Sequence, residues 1–181
     1  MTRQQLEHLI RAAAVIADDD ELIVIDSQSI LGSFPEAPDV LLASVEADLY
    51  PKHHPERADL IDGTIGELSP FHDTYGYYAQ GVGPTTAILP EGWQGRLVAI
   101  RNENTRWATG LCLDAHDLVL AKYAAGRDKD LRFNAEALRH DLVQSSVLEQ
   151  RLQTMPISDA SRALIAQRIA RDEARAATMR A

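Results

Sequence analysis

Val45-Glu46-Ala47-Asp48-Leu49-Tyr50 sets two carboxylates among apolar residues. On an extended strand side chains alternate with period two, so Glu46 and Asp48 project from the same face. Two acids aimed at one spot repel. They suit the exposed end of an edge strand with its polar face in water. They equally suit a place where Mg²⁺ sits between them, because that ion takes hard oxygen ligands from one or two carboxylates and completes its shell with water and substrate phosphates. The pair alone leaves both readings open.

Upstream, Glu21-Leu22-Ile23-Val24-Ile25 is a β-rich run of the kind that forms a buried central strand. It ends in Asp26-Ser27-Gln28-Ser29, where Ser27 is placed to cap a short helix that carries Ile30 and Leu31 and stops near Gly32. Such a helix start presents free N–H groups and partial positive charge, which suits phosphate, although capping alone also accounts for Ser27 and Ser29. Nearer the start, Thr2 and Gln5 have capping-box spacing. Leu6, Leu9, Ile10, Ala13 and Ile16 then recur at helical spacing, which predicts a helix to about Ala17.

Downstream, Lys52-His53-His54-Pro55-Glu56 invites a metal reading, but adjacent histidines on a strand or loop point apart and no partner ligand has zinc spacing. Glu56 to Leu68 reads as a glycine-containing helix. Pro70 to Thr109 reads as an antiparallel meander, with strands in Tyr75–Val82, Thr85–Leu89 and Arg96–Ile100 separated by Gly83-Pro84 and Pro90-Glu91-Gly92. Its tyrosines suit core or cross-strand packing. Gly81-Val82-Gly83 lacks the third glycine and following helix of a dinucleotide fingerprint, and no Walker A sequence is present.

Arg106 to Leu113 predicts one more strand, after which Asp114 caps a helix with Asp117 at its third position. Lys122 falls among apolar neighbours on this helix, either snorkelling from a packed face or held toward a site. If the helix continues, Lys122, Gly126 and Lys129 fall near one line with Asp130 about 80° away. Asn134 is then expected to cap a helix carrying Leu138, Leu142, Val143 and Leu148. Ser158 is expected to cap a last one with Leu164, Ile165 and Ile169, its charged tail fraying after Arg168.

The 181 residues suffice for one α+β domain with a helical appendage, divided as a core over 1–133 and C-terminal helices over 134–181. A hydrophobic fraction of 45% and a charged fraction of 25% exclude a disordered tail. The one cysteine, Cys112, excludes an intramolecular disulfide and a cysteine-rich zinc site, and suits a reducing cytoplasm. Met1 to Gln5 does not read as a signal peptide, and no run reaches membrane-spanning length, so a cytoplasmic location and no membrane partner are expected. The net charge of −9 argues against a general nucleic-acid coat, while Arg127, Lys129, Arg132 and Arg139 offer a local basic patch.

In order and separation, three of these parts resemble the nucleotidyltransferase-fold superfamily, in particular its bacterial toxin branch near the AbiEii and MenT proteins. The first is Ile25-Asp26-Ser27-Gln28-Ser29-Ile30-Leu31-Gly32; the second is Glu46-Ala47-Asp48-Leu49. The third runs from Asp114 through Lys122 to Arg127-Asp128-Lys129-Asp130, so the resemblance covers roughly Leu22 to Leu131. It implies a mixed or antiparallel sheet with flanking helices and a C-terminal helical extension. It implies Mg²⁺ (or Mn²⁺) held by Glu46 and Asp48, and a nucleoside triphosphate (NTP) on Ser27, Gln28, Ser29, Gly32, Arg127 and Lys129. Glu46, Asp48, Lys122 and Asp130 would be the catalytic set, with Lys122 neutralising phosphate charge. The acceptor it implies is RNA, such as a tRNA end, or a protein, and the partner an antitoxin protein. Three departures stand out: no third carboxylate is placed on a later strand, and two residues differ from the usual ones. Asp26 replaces the usual glycine and adds negative charge beside the expected phosphate site, and Glu46 replaces the usual first aspartate.

Overall fold

The computed structural model describes residues 1–180. Helix α1 (Arg3–Ala17) opens on the capping box expected: the Thr2 hydroxyl accepts the Gln5 N–H at 3.3 Å and the Gln5 side chain accepts the Thr2 N–H at 2.8 Å. Strand β1 (Glu21–Ile25) follows, then a single 3₁₀ turn at Ser27–Ser29 and the short α2 (Ile30–Ser33). Next come β2 (Glu46–Pro51), α3 (Ala58–Ile65), α4 (Pro70–Tyr75), β3 (Tyr78–Gly81), β4 (Val98–Ile100) and β5 (Thr109–Cys112). Four helices close the described chain: α5 (Ala115–Ala125), α6 (Asp128–Arg139), α7 (Ser145–Leu152) and α8 (Asp159–Arg180).

The strands form one mixed sheet in the order β3-β2-β1-β5-β4. Strand β1 pairs antiparallel with β2 and parallel with β5, while β2 pairs parallel with β3 and β5 antiparallel with β4. The result is the α+β, nucleotidyltransferase-like architecture implied by the three parts. Leu22, Ile23, Val24 and Ile25 are buried because β1 is central and covered on both faces. Each such side chain contributes about 1.5–3 kcal/mol relative to exposure.

Register fixes which residues share a face. Leu22 and Val24 stand opposite Gly110 and Cys112, on the side covered by α1 and α2. There the helices come so close that a Cβ at Gly110 would lie 2.3 Å from the Ile10 side chain, and one at Gly32 would lie 2.5 Å from Cys112 Cβ. Ile25 stands opposite Asp48, so Glu46 and Asp48 share the other face with Ile23 and Ile25.

Several expectations are corrected. The antiparallel meander does not form: β3 lies at one edge of the sheet and β4 at the other, so the chain between them must cross the whole sheet, and Thr85–Leu89 is irregular. Ser27 caps no helix with its side chain; the Ser29 hydroxyl instead donates to the Asp26 carbonyl at 2.8 Å. The expected Glu56–Leu68 helix is a 3₁₀ turn plus α3, closed by Gly66. Gly126 ends α5 in the left-handed conformation, φ 67°, so Lys122 and Lys129 lie on different helices rather than on one line.

Asn134 lies inside α6 rather than at a cap, its buried amide donating to the Val119 carbonyl at 3.1 Å. The 133/134 division accordingly falls within α6. The last helix does start at Ser158, whose hydroxyl accepts the Ser161 N–H at 3.2 Å, but it runs to Arg180 without a break at Arg168. Buried Ile165, Ile169 and Ala176 hold it down. Among the described residues no helix is long and apolar enough to cross a membrane.

Candidate active site

Three chain segments far apart in sequence meet beyond the carboxyl end of β1. The chain leaves the strand at Asp26 with φ 58° and ψ −164°, a region that side chains disfavour and glycine occupies freely. Its neighbour β2 brings Glu46 and Asp48, and the end of α5 with the start of α6 brings Lys122, Arg127 and Asp130. The Lys122 ammonium donates to Asp26 and, at 3.1 Å, to Asp130, and lies 4.8 Å from the Phe133 ring centre. Arg127 donates to Asp130 at 2.6 Å and has a nitrogen 3.9 Å from an Asp26 oxygen. Lys122 is therefore a buried, fully engaged cation and not a snorkelling one.

The carboxylates outnumber the cations. Burial first, then the charges of Asp26 and Glu46, push the Asp48 carboxyl up from its ordinary 3.8 to about 7. Asp130 moves the other way. Its burial opposes ionisation, but hydrogen bonds from Arg127 and Lys122 outweigh that and hold it below the usual range. Glu46 also accepts a hydrogen bond from the Tyr78 hydroxyl at 3.3 Å, across the β2–β3 pair. Burial, then Glu46, pushes this phenol up to about 12, so Tyr78 stays a donor at neutral pH.

Two cavities share Asp26, Asp48 and Lys122 as their common wall. One, of about 260 Å³, is lined by Leu118 and Ala121 of α5, by Thr86, Ala87 and Ile88 of the crossing segment, and by Arg127. The other, of about 420 Å³, carries both charges, with Ser27, Glu46, Asp130, Glu136, Lys129 and Arg132 around it beside apolar Val40, Leu41 and Phe133. Arg127 and Lys129 stand at the N-terminal end of α6, where the helix dipole disfavours cations and favours an anion. Lys129 and Arg132 form no ion pair among the described residues.

Of the residues singled out in the sequence, Ser27, Glu46, Asp48, Lys122, Arg127, Lys129 and Asp130 converge here. Gln28, Ser29 and Gly32 line neither cavity. Gln28 is buried and donates to the Ser44 carbonyl at 3.1 Å, Ser29 ties the turn, and Gly32 gives room to β5. Tyr78 and Arg132 were not assigned to the site from sequence. The signal for Tyr78 is its register opposite Glu46, which only strand pairing reveals. His53 and His54 lie at the far end of β2, where Asp19 accepts their backbone N–H groups and Glu21 meets His53 at 2.9 Å.

Glu46 and Asp48 fit a divalent cation by chemistry: two hard carboxylates on one strand face, crowded enough that the Asp48 carboxyl is pushed up to about 7. Among the described residues no group of three or more His, Cys, Asp or Glu side chains forms a metal cage.

A family model described as "Nucleotidyltransferase of unknown function (DUF6036)" matches residues 4–172. The chain belongs to this nucleotidyltransferase family. The match takes in every strand of the sheet and all of the cleft, together with α6, α7 and most of α8. No curated protein and no solved structure matches the chain.

Proposed function

We propose that this family member is a nucleotidyltransferase that moves a nucleoside monophosphate from an NTP to an RNA or protein acceptor, with the reacting phosphorus at the wall between the two cavities. One observation carries the reading: Asp48, with Glu46 beside it on the same strand face, and the buried Lys122 stand at the wall shared by two adjoining chambers, one lined mainly by α5 and the Thr86–Ile88 segment and the other by side chains of both charges. Glu46 and Asp48 would hold Mg²⁺ or Mn²⁺. When bound, that ion screens the triphosphate and supports in-line displacement.

The remaining work falls to the chain. Lys129 and Arg132, with Ser27 and the N–H groups of its turn, receive the leaving phosphates in the charged chamber, while Arg127 reaches them from the side of the other. Lys122 donates to oxygens on which charge grows, and Asp130 keeps it charged and aimed. Leu118, Ala121 and the Thr86–Ile88 segment enclose the nucleoside and exclude water. By its resemblance to the AbiEii and MenT branch, the protein would act in the cytoplasm as the toxin of a toxin–antitoxin pair, with a tRNA end among its acceptors. The basic face near Arg127 and Arg132 supports an RNA acceptor despite the net charge of −9.

Incubation with Mg²⁺, labelled NTPs and total RNA or cell lysate should label one product, and Asp48→Ala should abolish it. Labelling that survives Asp48→Ala would remove the assignment. A second reading, a catalytically degenerate binding partner, draws support from the commitment of Lys122 to two aspartates. It requires that calorimetry find no Mg²⁺-dependent nucleotide binding.

A further inference from the structure

We propose that Asp26 is an internal anion that occupies the phosphate-receiving cations of the cleft, so that an incoming polyphosphate must displace it and Asp26 sets the affinity for nucleotide. This rests on the reading of the cleft as a nucleotide site. The Asp26 carboxylate belongs to the wall shared by both cavities. It accepts a hydrogen bond from Lys122 and lies 3.9 Å from an Arg127 nitrogen, the position an anion takes between two cations.

The turn itself does not need this side chain. The bonds that close it run from the Ser29 N–H and hydroxyl to the Asp26 carbonyl, at 3.0 and 2.8 Å. The backbone there has φ 58° and ψ −164°, which glycine adopts without strain and aspartate does not. A carboxylate thus stands where the backbone argues against any side chain, and among the described residues its polar partners are the two cations of the cleft. Those cations do not depend on it for their placement, since Lys122 keeps Asp130 and Phe133, and Arg127 keeps Asp130. Asp48 and Glu46 from β2 and Asp130 from α6 also face this point, so Asp26 adds to an already negative field. Phosphate entering beside Lys122 meets a like charge until Asp26 swings away.

The test is calorimetric titration of inorganic tripolyphosphate, and of an equimolar NTP mixture with Mg²⁺, into the wild type, Asp26→Gly and the near-isosteric Asp26→Asn. Both variants should bind tripolyphosphate about tenfold more tightly, the gain shrinking as salt screens the repulsion. Asp26→Gly should melt no lower than the wild type, and Asp26→Asn keeps the test open if it does. Unchanged or weaker binding in both variants, with the wild type still binding nucleotide, overturns the role of Asp26 alone. Failure of all three proteins to bind either probe overturns the nucleotide site itself.

Discussion

Two clusters of charge flank helix α5, built from the same residue types and balanced in opposite ways. At its end, four carboxylates (Asp26, Glu46, Asp48 and Asp130) face two cations, Lys122 and Arg127. At its start, two carboxylates, Asp114 and Asp117, face two arginines: Arg96 meets Asp117 at 2.8 Å, and Arg151 meets Asp114 at 2.5 Å and Asp117 at 2.9 Å. The second cluster is closed on itself. Burial alone would raise the Asp114 carboxyl, but hydrogen bonds from His116 and Arg151 hold it well below the usual range. In the first cluster Asp48 is driven up to about 7. A matched cluster joins elements: here the segment before β4, α5 and α7. A mismatched one retains charge that the fold does not neutralise, and in a cleft such an imbalance marks a place for a ligand.

The comparison breaks most visibly at Asp48. Asp48→Asn should lower nucleotidyl transfer by about a thousandfold or more, since it removes a carboxylate from the metal-holding pair. The same change should stabilise the protein by about 1 kcal/mol, because it removes an excess buried charge. Denaturant midpoints measured beside the labelling assay check both signs. Asp117→Ala should do the reverse. Asp117 is fully buried between two arginines, so its loss should cost about 3–5 kcal/mol of stability. Activity per folded molecule should stay near that of the wild type.

The two clusters should also answer pH in opposite directions. The folded carboxyl of Asp48 lies above its unfolded value near 3.8, so its contribution is most favourable below that value and is lost as pH rises through about 7. Asp114 is depressed, so its contribution is present above the unfolded value and is lost as pH falls below it. Unfolding free energy should therefore rise from pH 8 toward pH 5 and fall below about pH 4. Asp48→Asn should flatten the upper limb and Asp114→Asn the lower. A flat upper limb in the wild type would refute the unbalanced cluster. The smallest change is Tyr78→Phe, which removes one hydrogen bond to Glu46 while keeping the ring beside His72, 4.6 Å between centres. It should reduce transfer about three- to tenfold and lower the melting temperature by several degrees, as a hydrogen bond to a charged group contributes about 1.5–3 kcal/mol.

Much of this was legible in local pattern. The Thr2 capping box, the buried run Leu22–Ile25, the Asp114 cap and the shared face of Glu46 and Asp48 all depend on residues within a turn or two of one another, where spacing dictates geometry. The meander between Pro70 and Thr109 misled because β propensity describes a segment that can pair, whereas pairing requires a free neighbouring edge. Crossing from β3 at one edge of the sheet to β4 at the other, Thr85–Leu89 pairs with neither outer edge, and it became a wall of the cleft instead.

What the sequence determined by itself was a carboxylate pair on one strand face, a serine-bearing turn after a buried strand and a lysine on a late helix. Only the tertiary structure decided that Lys122 reaches Asp26 across 96 positions of chain, that Gly126 turns α6 back so that Asp130 meets the same ammonium, and that Tyr78 donates to Glu46. Side-chain direction follows from local dihedrals and is written in short spacing. Charge balance depends on which distant segments the sheet order and helix packing bring within a few ångströms, and no spacing records that.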